Sequence, residues 1–337
     1  MSPTTRTIGR TNLAVTTLGI GTAPLGGNFT DVTAADALAA INTALASGIT
    51  FADTAPFYGF GRSERATGDA LRGRDYTLST KVGRLLAPGA LPEPFKAAGM
   101  NAPLPFHPVY DYTYDAVMRS FEDSQQRLGL DRIDILLAHD IGDMQHGTTE
   151  NARHMKDLES GYRAMDDLRR NGHVKAIGIG VNEVKACLDV MKIGDWDTFL
   201  LAGRYTLLEQ TPLDDLLPAC AKNDISLIIG GPFNSGILVG RDTWNYSKAP
   251  SQVLEKAAKI EAICLDHNIP LPAAALQFPL GHANVASVIP GARDTQEMQD
   301  ILKWAAMPTP ASLWSDLVAA DLIRADAPLP DGTPLLS

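Results

Sequence analysis

The sequence predicts an α/β chain folded as a (β/α)8 TIM barrel, with a long loop after strand three and a C-terminal tail. Three observations carry this. Eight short β-prone runs alternate with stretches of helical spacing, the order that makes a parallel sheet covered by helices. The runs are nearly continuous in apolar residues, as strands buried on both faces are, and a count of eight favours a closed barrel over an open sheet. The competing doubly wound dinucleotide fold requires G-x-G-x-x-G directly after an early strand. Gly19-Ile-Gly21, Gly59-Phe-Gly61 and Gly178-Ile-Gly180 each lack the third glycine, so that fingerprint is absent.

In chain order, strands are expected over residues 17–21, 50–53, 76–81, 133–139, 176–180, 198–202, 226–230 and 286–289. Helices are expected between them, over 33–46, 113–128, 158–170, 183–192, 213–222, 251–266 and 295–305. Ala37, Leu38, Ile41, Ala44 and Leu45 form the i, i+3/i+4 stripe that packs a helix onto a sheet. Leu71-Arg72-Gly73 and Arg170-Asn171-Gly172 look like helix ends, where glycine tolerates a left-handed turn. Residues 84–112 carry six prolines and follow the third strand, so they are read as a loop walling the pocket at the barrel's catalytic face. The tail 306–337 holds one short helix near 312–323. No repeat or linker divides the chain, and residues 1–337 are read as one domain.

Composition narrows the function. Apolar residues make up 45% and charged residues 20%, the balance of a globular enzyme. A net charge of −10 argues against nucleic acid or anionic lipid as partner. Cys187, Cys220 and Cys264 lie far apart, with no C-x-x-C, so no disulfide framework or cysteine zinc site is expected. The stretch MSPTTRTIGRTNL lacks a leader's basic-then-apolar pattern, and no run approaches the ~18 apolar residues of a membrane span. A cytoplasmic enzyme acting on a small molecule is expected, and no oligomeric state is read from the sequence. Neither His-x-His nor H-E-x-x-H occurs, so no metal is expected.

The chemistry of such a barrel lies at the C-terminal ends of its strands. Strand two ends in Asp53, and its turn carries Tyr58; strand three ends in Lys81 and strand four in His139. Singly, each has a bland explanation: a cap, a solvated cation, a core histidine. On successive strands they converge on one mouth. A phenol titrates near ~10, too high for acid–base work unless it is tuned. Lys81 beside Tyr58 is expected to stabilise tyrosinate, with Asp53 holding Lys81 and His139 orienting the substrate oxygen. Phe57, Tyr110 and Asp140, with Tyr58 and His139, are candidate substrate contacts, and Phe233 is a further candidate wall. The barrel supplies no hydride, so a nicotinamide cofactor is implied.

Asp53, Tyr58, Lys81 and His139, in that order and context, resemble the catalytic tetrad of the aldo-keto reductase superfamily. The resemblance runs from Leu18-Gly-Ile-Gly-Thr22 to Ile289-Pro-Gly-Ala-Arg293. Asp111-Tyr-Thr-Tyr-Asp115, Arg119-Ser120, Arg127-Leu-Gly-Leu-Asp-Arg-Ile-Asp134, Ile179-Gly-Val-Asn-Glu183 and Leu201-Ala-Gly-Arg-Tyr-Thr-Leu207 look like the aldose (L-fucose or D-threo-aldose) 1-dehydrogenases. Pyridoxal 4-dehydrogenase is similar to the same group. The resemblance implies a barrel binding NAD or NADP. Gly21, Thr22 and Asp53 would lie beside the nicotinamide ribose. Gly231, Pro232, Phe233, Asn234, Ser235, Gly236 and Leu238 would belong to the pyrophosphate loop, and Gly291, Ala292 and Arg293 to the adenosine end. Three positions depart from the family pattern. Its Ser-Asn pair reads Gly180-Val181, with Asn182 one residue later; its strand-six glutamine falls on Ala202. Its nicotinamide-stacking tyrosine falls on Gly230, which leaves that surface to Phe233 or a loop side chain. Glu297 stands where many NADP-preferring members carry a basic residue, so NAD is the expected cofactor, with Arg293 the argument for NADP. The reaction so implied is oxidation of a cyclic hemiacetal (L-fucose, L-galactose or D-arabinose type) to a lactone, with Tyr58 as acid–base. The alternatives are pyridoxal 4-dehydrogenase, an NADPH-dependent carbonyl reductase, a Schiff-base aldolase on Lys81, and a non-catalytic cofactor-binding barrel.

Overall fold

The computed structural model describes residues 3–27, 30–91, 93 and 103–336. An antiparallel pair, β1 (Thr5–Thr7) and β2 (Ala14–Thr16), comes first. Eight parallel strands follow: β3 (Ile20–Gly21), β4 (Phe51–Asp53), β5 (Thr77–Val82), β8 (Ile135–His139), β9 (Ala176–Val181), β10 (Thr198–Ala202), β11 (Ser226–Gly230) and β14 (Val285–Ile289). They pair in that order, and the barrel closes where β3 meets β14 through the parallel bridges Leu18↔Val288 and Gly21↔Gly291. Backbone hydrogen bonds from Gly19 N to Val288 O (2.9 Å) and from Gly21 N to Pro290 O (3.0 Å) seal this seam.

Helices α1 (Ala34–Ala46), α2 (Arg62–Leu71), α3 (Tyr114–Leu128), α4 (Asp143–Arg170), α5 (Val184–Val190), α6 (Leu216–Lys222), α7 (Ser251–Asp266), α8 (Leu271–Gln277), α9 (Thr295–Ala305) and α10 (Ala311–Ala319) accompany the strands. Thr33 caps α1 by accepting from Asp36 N, and Asp294 caps α9 by accepting from Glu297 N. The strand period of two sorts side chains into two cores. Leu136 and Ala138 of β8 face outward into the helix-covered core, while Ile135 and Leu137 face the barrel interior. Ile8, Leu13 and Val15, from the β1–β2 segment, pack onto the interior layer of Phe51, Leu200 and Ile228, stoppering its lower end.

Most expected strands appear within two residues of their expected bounds, but β3 is only two residues long. Five features differ from the sequence reading. The β1–β2 pair and α8 were not anticipated. The helix expected from 158 begins at Asp143 and bends at Gly147, whose φ of 69° and ψ of 158° leave helical space. Residues 84–112, expected as loop, contain an antiparallel hairpin of β6 (Arg84–Pro88) and β7 (Phe106–Tyr110). Residues 92 and 94–102 of that stretch lie outside the described residues. Two small strands, β12 (Thr243–Trp244) and β13 (Ser247–Lys248), form a further hairpin before α7.

Candidate active site

Strand parity delivers the site. Phe51 faces the interior, so Asp53, two residues on, does too; Ile135 and Leu137 are followed on the same face by His139. Lys81 takes the corresponding place on β5. Its ammonium donates to Asp53 Oδ2 (2.7 Å) and to the Thr54 carbonyl (2.9 Å), and the Ser79 hydroxyl donates to Asp53 Oδ1 (2.7 Å). Gly180 makes room for it: a Cβ there would lie 3.0 Å from Lys81 Cε.

Tyr58 is held by a close approach of two turns. A Cβ on Gly26 would stand 2.5 Å from the Tyr58 carbonyl carbon, and Gly59 takes a left-handed φ of 63° against the same turn. The Tyr58 ring is half-buried and meets His139 edge-on, centroids 5.8 Å apart at 89°. Asp53, Tyr58, Lys81 and His139 therefore share one mouth, with Lys81 Nζ 4.9 Å from the Tyr58 ring centroid.

The electrostatics differ from the sequence expectation in one respect. Lys81 spends its charge on Asp53, and burial, reinforced by Asp53 and Asp140, holds the Tyr58 phenol well above its ordinary range. The resting phenol is protonated. Burial, then the nearby Arg84 and Lys81, drives His139 well below the usual imidazole range, so it is neutral. Its Nδ1 is buried without a partner among the described residues, and its Nε2 lies 3.6 Å from Asp140 Oδ2. That arrangement favours the Nε2–H tautomer. Burial also raises the Asp53 carboxyl despite Lys81.

The candidate substrate contacts Phe57, Tyr110 and Asp140 meet on a residue that sequence reasoning missed, Arg84. Its guanidinium donates to Asp140 (2.5 Å) and to Gln145 Oε1 (2.9 Å), and lies 4.2 Å from the Phe57 ring centroid and 5.4 Å from that of Tyr110. Gln145 in turn donates to the Tyr110 hydroxyl (3.1 Å). The Tyr112 hydroxyl donates to the His139 carbonyl (2.6 Å), tying this group to β8.

A cleft of about 440 Å³ adjoins the mouth. Gly231, Pro232, Phe233, Ser235, Gly236, Gly291, Arg293 and Glu297 line it, together with Pro24, Arg241, Tyr246 and Trp304. Among the expected cofactor residues, Asn234, Leu238 and Ala292 are buried and are not part of this lining. The Asn234 amide donates instead to the Gly203 carbonyl (3.1 Å). Gly21 and Thr22 are buried at the end of β3, where the Thr22 hydroxyl donates to the Asp53 carbonyl (2.8 Å). Phe233 packs edge-on against Trp304, at 5.9 Å. The loop aromatic that reaches the mouth is Tyr246, at the β12–β13 turn: the Asn182 amide donates to its hydroxyl (3.3 Å), and its backbone N–H donates to the Ser235 hydroxyl (3.0 Å). Glu297 does not stand as a bare carboxylate. It accepts from Arg293 Nε (2.9 Å) and Arg293 N (2.8 Å), and Arg241 lies 3.5 Å away. The carboxylate is thus neutralised, and the expected repulsion of a 2′-phosphate loses its basis.

Among the described residues no helix is long and apolar enough to cross a membrane, and no three His, Cys, Asp or Glu gather as a metal cluster. Cys187, Cys220 and Cys264 are buried free thiols.

A parallel barrel whose mouth joins a tyrosine, a buried Lys–Asp pair and a neutral histidine to a glycine-lined cleft defines a barrel oxidoreductase. Residues 17–321 match the aldo/keto reductase family, and the chain belongs to it. It is 41% identical over 334 residues to pyridoxal 4-dehydrogenase of Microbacterium luteolum, covering 94% of this chain and 97% of that one. It is 37% identical over 339 residues to D-threo-aldose 1-dehydrogenase of a Pseudomonas species, covering 96% and 99%. Among solved structures, the holo form of an aldo-keto reductase from Bacillus halodurans superimposes with a TM-score of 0.73 at 21% identity, over 96% and 98% of the two chains. At that identity the likeness speaks for the fold. Aldo-keto reductases use nicotinamide cofactors, and the cleft suits one. Gly231 and Gly236 take φ of 55° and 111°, and a Cβ on Gly291 would run into Pro24 Cγ at 2.5 Å. Backbone can therefore approach a phosphate closely there, beside the guanidiniums of Arg241 and Arg293.

Proposed function

We propose that the chain oxidises the hemiacetal carbon of a small cyclic substrate, an aldose or pyridoxal, to a lactone. The observation that carries this is the convergence of Asp53, Tyr58, Lys81 and His139 on one mouth beside the cleft. The names of the two relatives, a pyridoxal and an aldose dehydrogenase, support the oxidative direction. A bound oxidised nicotinamide would supply the hydride acceptor. Arg241, Arg293 and the loop from Gly231 to Gly236 would hold its phosphate end. His139 donates from Nε2 to the substrate oxygen and fixes its lone pairs. Tyr58, once its phenol had released its own proton to solvent, would take the hydroxyl proton while the C–H electron pair departed as hydride, leaving a carbonyl on the substrate. Lys81, neutralised by Asp53, holds Tyr58's surroundings without offering a free amine, which speaks against a Schiff-base role. With Glu297 neutralised, NAD and NADP are both compatible with the cleft.

One observation favours a second reading. The protonated resting phenol is ready to donate, as reduction of a free carbonyl by NADPH requires. The deciding assay follows nicotinamide absorbance with L-fucose, L-galactose, D-arabinose and pyridoxal, each with NAD and NADP. Oxidation of one of them supports the first reading. Silence on all four, with aldehyde reduction by NADPH, refutes it in favour of the second. Tyr58→Phe is expected to lose about 10²–10⁴-fold in turnover while cofactor affinity, read by fluorescence titration, stays within about twofold. Near-normal turnover would remove Tyr58 from the chemistry.

A further inference from the structure

Outside the tetrad, the mouth holds a second ion pair, between Arg84 and Asp140. Two of its features are unusual. The Arg84 side chain is only 2% exposed, whereas arginine is rarely buried unless paired. Asp140 adopts a left-handed φ of 47°, an uncommon backbone for a non-glycine residue and one that concentrates at functional sites. Together they set a carboxylate directly after His139, with Oδ2 3.6 Å from Nε2, the nitrogen assigned above to the substrate oxygen. Asp140 remains 21% exposed while Phe57 and Tyr110 cover its partner, so the carboxylate is the open end of the pair. Among the described residues, Lys81 and Arg84 beside the tetrad each already face a carboxylate.

We propose that Asp140, positioned by Arg84, reads the substrate hydroxyl on the carbon next to the reacting one and so selects a neutral, hydroxylated hemiacetal. The inference rests on the hemiacetal reading above. A hydroxyl donating to a carboxylate makes a charge-assisted bond, and a deoxy analogue leaves that carboxylate desolvated and unpartnered. Arg84 holds the carboxylate in place and stops it from swinging away. Arg84 is a positioning residue and Asp140 a specificity residue; neither moves the proton or the hydride.

The test is a cycle between protein and substrate. Kinetics are measured for the wild type and Asp140→Asn on D-arabinose and on 2-deoxy-D-ribose, the same pentose without its C2 hydroxyl. Asparagine tolerates the left-handed backbone, so the variant keeps the turn. The wild type is expected to favour D-arabinose by about 10- to 100-fold in kcat/KM, and the variant by less than about threefold. Arg84→Lys, which cannot keep the fork, is expected to raise KM more than it lowers kcat and to lose part of the same discrimination. A merely structural role would depress both sugars equally. If pyridoxal alone is oxidised, the inference is overturned, because its ionised 3-oxygen has no proton to give the carboxylate. Undiminished discrimination in Asp140→Asn overturns the inference and leaves the hemiacetal reading standing. Failure of the wild type to oxidise L-fucose, L-galactose, D-arabinose or pyridoxal overturns both.

Discussion

Replacing Lys81 by Met separates what the buried ion pair does for folding from what it does for chemistry. Asp53 is 2% exposed, and without Lys81 it keeps, among the described residues, only the Ser79 hydroxyl as a side-chain partner. Removing one partner of a buried pair destabilises by about 3–5 kcal/mol, because the other charge stays desolvated. Unfolding entropy of about 2.1 cal/mol/K per residue, over 337 residues, is about 0.7 kcal/mol/K, so the midpoint should fall by about 4–7 °C. The deficit should also depend on pH. Burial already raises the Asp53 carboxyl with Lys81 present, and losing the ammonium raises it further. Between the unfolded value near ~3.9 and that raised folded value, the folded state holds more protons than the unfolded one. Stability of the variant therefore falls as pH rises through this window and levels off above it. Thermal and urea unfolding at pH 5 and pH 8 would show the variant closer to wild type at the lower pH. The double variant Asp53→Asn/Lys81→Met removes both charges and should regain much of the loss, yet remain inactive. A double variant no more stable than Lys81→Met, or a single variant as stable as wild type, would refute the reasoning.

Because the Tyr58 phenol rests protonated, hemiacetal oxidation should speed up with rising pH and carbonyl reduction should not, as paired pH–rate profiles would show; identical profiles would contradict the assignment. Glu297→Gln releases Arg293 and Arg241, and should improve NADP affinity about tenfold relative to NAD in fluorescence titrations. Burial pushes His146 down to about 4, and the unfolded imidazole titrates near ~6.5, so the unfolded chain binds the extra proton between these values. Stability should fall as pH drops through that range, and His146→Gln should reduce the slope of urea-derived stability against pH by about one proton, an effect absent if the ring is solvated.

How legible the molecule was depended on how local each feature is. The strands from Ala176 to Gly230 could be read because continuous apolar runs suit no other setting in an alternating chain. His139 could be placed because it continues the parity of Ile135 and Leu137. The β6–β7 hairpin was hidden by Pro88 and Pro108, which ordinarily argue against a strand. The first half of α4 was hidden by Gly147 and a polar composition without a clear stripe. Arg84 was missed for a deeper reason. A basic residue just past a strand end reads as solvated, and only Asp140, 56 residues on, makes its burial tolerable. The neutralisation of Glu297 is of the same kind, since Arg241 reaches it from the segment before β12. Tyr246 could have been flagged by Asn245-Tyr246 in a short turn, yet nothing local says that the turn leans on Ser235.

The seam between β3 and β14 has a consequence for how the chain becomes active. It joins Leu18 to Val288, so ring closure brings together segments some 270 residues apart, the kind of long-range pairing that forms late in folding. Pro24 lies on one side of the joint and Gly291, Arg293 and Glu297 on the other, and all four line the cleft. A ligand lodged there spans the joint like a staple across the two ends of a band. Hydrogen exchange at the Gly19 and Gly21 amides, which donate across the seam, should slow when NAD or NADP is added. The cofactor would then be a folding partner as well as a reagent.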